Sequence, residues 1–232
     1  MQHVCKGINT LLFCHHWILA GADINTKAAG RVREEEEEGG SIDYGSGNTP
    51  LHNCTDLSCH PSQPVFHFLL DKGADMLIKY ACGRTPLQSV LESLLDNPDQ
   101  ESQLSVFADE LIRRGGFAKN PEELERSEFQ LAMQFFRTAL TLPLSAPGAQ
   151  ERVHLLLDAG YKCSKKDLAE FEKSGLERYD HCLSERVRGM YVEDLKHLCR
   201  LKIRRSVGHS CSPGKLSQLP LPTFMLQYIN LL

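Results

Sequence analysis

Two short phrases each occur twice in this chain, in a fixed order, and they point to internal repetition before any other property does. Gly21-Ala22-Asp23-Ile24-Asn25 is nearly copied by Gly73-Ala74-Asp75-Met76-Leu77, and Asn48-Thr49-Pro50-Leu51-His52 by Arg84-Thr85-Pro86-Leu87-Gln88. Thr85 lies 36 residues after Thr49 and 12 after Gly73. Such a period marks stacked units, each too small to bury its own apolar face. The residue chemistry agrees. A Thr-Pro pair suits a helix start, since the hydroxyl caps first-turn amides and proline at the first helical position needs no donor. Leu69-Leu70 before Gly73 reads as a helix end closed by a glycine free to take positive φ. Weaker echoes follow at Leu111-Ile112-Arg113-Arg114-Gly115 and at 153–160.

These phrases resemble ankyrin repeats, whose units run near 33 residues and open on Thr-Pro-Leu-His. On that resemblance, 1–27 is a partial repeat, 47–79 and 83–116 are clear repeats, and 125–163 is degenerate. Segment 164–193 is expected to be a helical linker. The first unit lacks its Thr-Pro helix, so the chain is expected to begin inside a repeat, as a fragment, splice variant or misassigned start would. Insertions fall near Pro61–Pro64, Asn97–Ser102 and Thr141–Gly148. The loop at 28–46 carries Arg31-Val32-Arg33, then glutamates from Glu34 to Glu38, then Gly39-Gly40. A run of like charge repels itself, so this reads as a solvated acidic loop rather than a binding site.

With 232 residues and 41% hydrophobic content the chain can bury a real core. A formal charge of −4 argues against nucleic-acid binding by net electrostatics. No stretch approaches the roughly 18 to 20 apolar residues of a membrane span, and no secretory leader is visible. Nine irregularly spaced cysteines then fit a reducing compartment. Cytoplasmic residence is expected, although nothing in the composition separates cytosol from nucleus.

Candidate chemistry is sparse. His52, Cys54, Cys59 and His60 fall within nine residues and could hold zinc, but their spacing fits no usual finger. His52 is already the fourth residue of a Thr-Pro-Leu-His opening, where it resembles a structural histidine linking neighbouring repeats. Cys54 stands where that pattern expects a small buried alanine. Cys14-His15-His16 reads as packing rather than a catalytic dyad, because nothing identifies an orienting group. Gly45-Ser46-Gly47-Asn48 lacks the lysine of a phosphate loop. No catalytic residue, metal site or cofactor is expected, and the chain does not read as an enzyme.

The C-terminal forty residues are more specific. Leu195, Cys199 and Ile203 recur every four residues and share one helix face. Lys196, His197, Arg200, Lys202, Arg204 and Arg205 flank that stripe. They read as a solvated polar face in preference to a membrane-binding one, since aromatic anchors are missing. Leu219-Pro220-Leu221-Pro222 cannot continue a helix and so offers two leucines on an extended or sharply turned backbone.

Together these elements resemble a SOCS box over 194–232, with the apolar run Phe224, Leu226, Tyr228, Ile229 and Leu231 completing it. Behind ankyrin-like repeats, the whole resembles the ankyrin repeat and SOCS box family. That resemblance implies an all-α fold, a short ankyrin solenoid followed by a helical box. It also implies a substrate-recognition subunit of a cullin-RING ubiquitin ligase. Leu195, Leu198, Cys199 and Ile203 would then bind the elongin B–elongin C dimer, and Leu219, Pro220, Leu221 and Pro222 would bind cullin-5. The repeats would hold a target protein whose identity the sequence leaves open. The competing reading is an ankyrin scaffold with a vestigial box.

Overall fold

The computed structural model describes residues 20–28, 47–57, 62–118, 126–141, 146–188, 195–207 and 218–230. The Cys14-His15-His16 triplet, the glutamate run, and Cys59 and His60 lie outside that set. Among the described residues there are ten α-helices and no strand: α1 Pro50–Thr55, α2 Gln63–Asp71, α3 Pro86–Asp96, α4 Glu101–Arg113, α5 Glu128–Thr141, α6 Ala146–Asp158, α7 Lys165–Ser174, α8 His181–Val187, α9 Leu195–Val207 and α10 Thr223–Asn230. No described helix is long and apolar enough to cross a membrane.

Helices pair within a unit and stack between units. α1 packs on α2 and α3, α3 on α4 and α5, and α5 on α6 and α7, while α4 meets α6 in a second layer. Between the layers lies one continuous core that includes Phe66, Leu91, Phe107, Leu111, Phe129, Phe135 and Leu156. Cys54 is buried in it, as a small apolar residue at that position should be.

Each of the four units from Thr49 onward begins with the same reciprocal cap, although the residues change. Thr49 and His52, Thr85 and Gln88, Ser127 and Gln130, and Ser164 and Asp167 all stand three apart. In every pair the later side chain accepts from the earlier backbone amide, at 3.3, 3.0, 3.3 and 2.8 Å. Two orphan amides of a helix start are thereby satisfied at once. The first two pairs also reach forward. His52 Nδ1 accepts at home, leaving Nε2 to donate to the Arg84 carbonyl at 3.4 Å, and Gln88 Nε2 donates to the Arg126 carbonyl at 3.1 Å. Both acceptors immediately precede the cap of the next unit. The structural role expected for His52 is thus observed, with both ring nitrogens occupied. Burial holds its pKa down at about 4.

The turns stack in the same way. Asp23 and Asp75 each accept from the amide two residues on, and Asn25 Oδ1 accepts from the Asp75 amide at 2.8 Å. The near-copied Gly-Ala-Asp phrases are therefore adjacent equivalents, and the first of them belongs to the stack. Gly73 closes α2 at φ +89°, the left-handed region predicted for it.

Segment 164–193 is more than a connector over its described part. Phe171, Leu176, Leu183 and Val187 enter the main core, and α7 opens with the repeat cap. The threonine and proline of the opening are replaced here by Ser164 and Lys165, which hid the fourth unit from a search for Thr-Pro.

A pair of carboxylates sits at the junction of the last two units. Asp167 accepts from Ser127 Oγ at 2.5 Å and from Tyr161 Oη at 3.1 Å. Glu128 is fully buried, accepts from the Ala118 amide at 3.3 Å, and leaves Oε2 without a hydrogen-bond partner. Burial, aided by the Asp167 charge and opposed by Lys79 and by backbone hydrogen bonds, raises the Glu128 pKa from 4.5 to about 7. The fold therefore binds this proton more tightly than the unfolded chain does. The Glu128 contribution to stability is full below pH 4.5, declines as pH rises towards 7, and levels off above that. His52, lowered from 6.5 to about 4, acts oppositely over much of the same window. Glu128→Gln should remove the declining component, so its urea stability relative to the wild type should improve steadily from pH 4.5 to 7. A constant difference across that range would show that Glu128 is ionised throughout.

Candidate functional site

The C-terminal tail folds as α9 and α10 packed on each other. Positions four apart on a helix share a face, and α9 divides its faces sharply. His197, Arg200 and Arg204 are all buried, which corrects the expectation of a solvated basic face. Arg204 Nη1 donates to the Ile229 carbonyl at 2.8 Å, satisfying a carbonyl near the end of α10. Arg200 lies 4.8 Å over the Tyr228 ring and donates to the Asp158 carbonyl at 3.1 Å. Guanidinium groups bury more readily than ammonium because they are weakly hydrated and stack on rings. Lys202, an ammonium in the same stretch, stays exposed.

Beside Arg200, Leu201 seats on the turn after α6. A Cβ built on Gly160 would lie 2.9 Å from Leu201 Cδ2, and Gly160 has φ +96°. Both requirements select glycine there.

The opposite face of α9 is open. Leu198 is 50% exposed and Cys199 is exposed beside it. Leu195 begins the helix one turn earlier, and its side chain lies outside the described residues. Ile203 turns inward and packs with Leu219 and Leu221 around the buried Ile229. The four residues expected to bind one partner are thus divided between an outward pair, an inward residue and one undescribed side chain.

Leu219 to Pro222 is sharply turned. The Leu221 amide donates to the Leu219 carbonyl at 2.7 Å, and the Pro222 carbonyl accepts from the Met225 and Leu226 amides that open α10. Pro220 and Pro222 are exposed while the two leucines are half-buried, so the prolines, rather than the leucines, form the outer edge. Phe224 and Met225 continue that edge at 70% and 38% exposure. This exposed Phe-Met pair went unremarked at the sequence level because Phe224 counted simply as part of an apolar helix.

On the repeats, a groove of mixed character runs between α5 and α7, lined by Arg126, Gln130, Met133, Gln134, Arg137 and Glu170. Its charges are mixed and nothing within it forms a nucleophile–base pair. No three His, Cys, Asp or Glu side chains converge among the described residues.

Comparison with known proteins bears on the tail and on the chain as a whole. Residues 192–230 match the SOCS box family. Across 213 residues, 91% of this chain, it is 28% identical to human ankyrin repeat and SOCS box protein 16 and 27% identical to the mouse protein. The chain spans 38% of the length of those curated relatives. No solved structure matches it. The tail of this chain thus matches a SOCS box, and over nearly its whole length the chain is similar to an ankyrin repeat and SOCS box protein.

Proposed function

We propose that the protein is a non-catalytic substrate adaptor of a ubiquitin ligase, with α9 and α10 binding the ligase core and the repeats holding the target. The observation that carries this reading is the match of 192–230 to the SOCS box, supported by an α9 face left open at Leu198 and Cys199. That face would take elongin C of an elongin B–elongin C dimer, with Leu195 as the leading side chain. The exposed prolines at 220 and 222 would offer cullin-5 a backbone of fixed conformation, which lowers the ordering cost of association. The groove between α5 and α7, part polar and part apolar, would take a target segment. Transfer would then rest on proximity, a target lysine being held at high effective concentration near the charged enzyme.

Burying one leucine is worth about 1.5–3 kcal/mol. Leu195→Asp should therefore weaken elongin B–elongin C capture by roughly 10- to 150-fold in a titration of the purified chain. Wild-type capture with no loss in the variant would refute the role of Leu195. A wild type that captures no elongins would instead favour a scaffold whose box is vestigial.

A further inference from the structure

We infer that Arg200 is a positioning residue that holds the SOCS box in one orientation on the repeats, through a carboxylate it shares with α8. Its guanidinium meets three groups on two other helices. It donates to the carbonyl of Asp158 at the C-terminus of α6, stands 3.8 Å from the Asp158 carboxylate, and covers the Tyr228 ring of α10 at 4.8 Å. Asp158 Oδ1 also accepts from Arg186 Nη2 of α8 at 2.7 Å. Arg186 Nη1 lies 3.3 Å from His154 Nδ1, and His154 pairs with Asp180, which caps α8 through the Leu183 amide at 2.8 Å.

One carboxylate therefore receives the last repeat-like helix and the first box helix together. The location favours cations, because the C-terminal carbonyls of α6 carry partial negative charge. The seat of Leu201 on Gly160 gives close contact but little direction, since apolar contacts resist rotation weakly. A planar guanidinium with fixed donor directions supplies what that contact lacks. Arg200 is 7% exposed, so water has little access to the guanidinium, while the Asp158 side chain is 39% exposed.

The consequence for ubiquitin transfer rests on the adaptor reading above. The angle between box and repeats sets where a held target lies relative to the ligase core. Arg200 would therefore govern transfer without touching the elongin-binding face. The physical coupling itself does not depend on that reading and can be measured in the free chain.

The test is hydrogen exchange on the full chain, wild type against Arg200→Ala. Exchange should accelerate at least 10-fold in two places together, the turn at 158–161 and the helix at 223–230, with 86–113 unchanged. Acceleration confined to α9, or none, would overturn the proposal. If Arg200→Ala does not fold by circular dichroism, Tyr228 decides: Tyr228→Phe keeps the ring under the guanidinium and should protect 158–161 better than Tyr228→Leu, which should accelerate exchange there. Equal behaviour of the two variants would overturn it. For the ligase consequence, Arg200→Ala should capture elongins within about 3-fold of wild type. It should lose at least 5-fold in ubiquitin transfer to a lysine-bearing peptide fused at the N-terminus. Undiminished transfer would overturn that consequence. A wild type that captures no elongins would remove the adaptor reading and leave the exchange pattern to decide the coupling.

Discussion

Replacing Phe66 with alanine should lower stability by about 3–5 kcal/mol, the range for emptying a buried aromatic site. Phe66 is fully buried and meets Phe107 edge to face at 4.9 Å. These rings join α2 to α4, the outer helices of neighbouring units, so the cavity would open between units rather than within one. Repeat arrays gain much of their stability at such interfaces. For a chain of this size the melting temperature should fall by roughly 6–20 °C. Thermal melts followed by circular dichroism would check it. Phe66→Leu, which fills most of the space, should cost about 1.5 kcal/mol or less. A Phe66→Ala loss below about 1 kcal/mol would mean that this core is not packed as described.

Asp167→Ala should cost about 3 kcal/mol, and for a different reason. Its carboxylate accepts from Ser127 Oγ, Tyr161 Oη and the Ser164 amide, and Asp167 itself is fully buried. Removing the acceptor strands several donors away from water, and each stranded group carries a desolvation cost of about 1–3 kcal/mol. The damage should be local. Hydrogen exchange in α7 and α8 should accelerate ahead of that in α3 and α4, because Asp167 ties the fourth unit to the third. The same substitution removes a charge that raises the Glu128 pKa, so the pH dependence assigned to Glu128 should shrink with it. A uniform loss of protection along the whole stack would contradict a local role.

Much of this was legible in the residues. Thr49-Pro50 and Thr85-Pro86 announced two helix starts, and Gly73 and Gly160 announced two helix ends, because caps and positive φ need particular residue types. The third and fourth openings, at Ser127 and Ser164, were harder. Serine replaces threonine and no proline follows, yet the acceptor three residues on persists as Gln130 and Asp167. A search for Ser or Thr followed three residues later by any acceptor would have found all four.

The tail was readable as far as its periodicity. Leu195, Cys199 and Ile203 marked a helix face, but the inward turn of Ile203 depends on where α10 lies, which no spacing along α9 encodes. The burial of His197, Arg200 and Arg204 was likewise hidden. A charged side chain is read as solvated until its partners are known, and here those partners are a carbonyl of α6, a ring of α10 and the end of α10 itself. Gly160 illustrates the limit well. Its positive φ was predictable, whereas the second reason for glycine, the approach of Leu201, lies 41 positions away in sequence.

The forward-reaching caps have one more implication. Each is a one-way handshake, in which a unit offers a donor and its successor offers a carbonyl from the residue just before its own cap. Such a joint does not depend on the identity of the unit beyond it. A unit grafted between the first and second repeats should thus be accepted if it opens on Thr followed three places later by His or Gln. One that opens on Asp at that place would break the series at the graft, because a carboxylate has no proton to extend to the next carbonyl. Asp167, which ends the described series, has just that character.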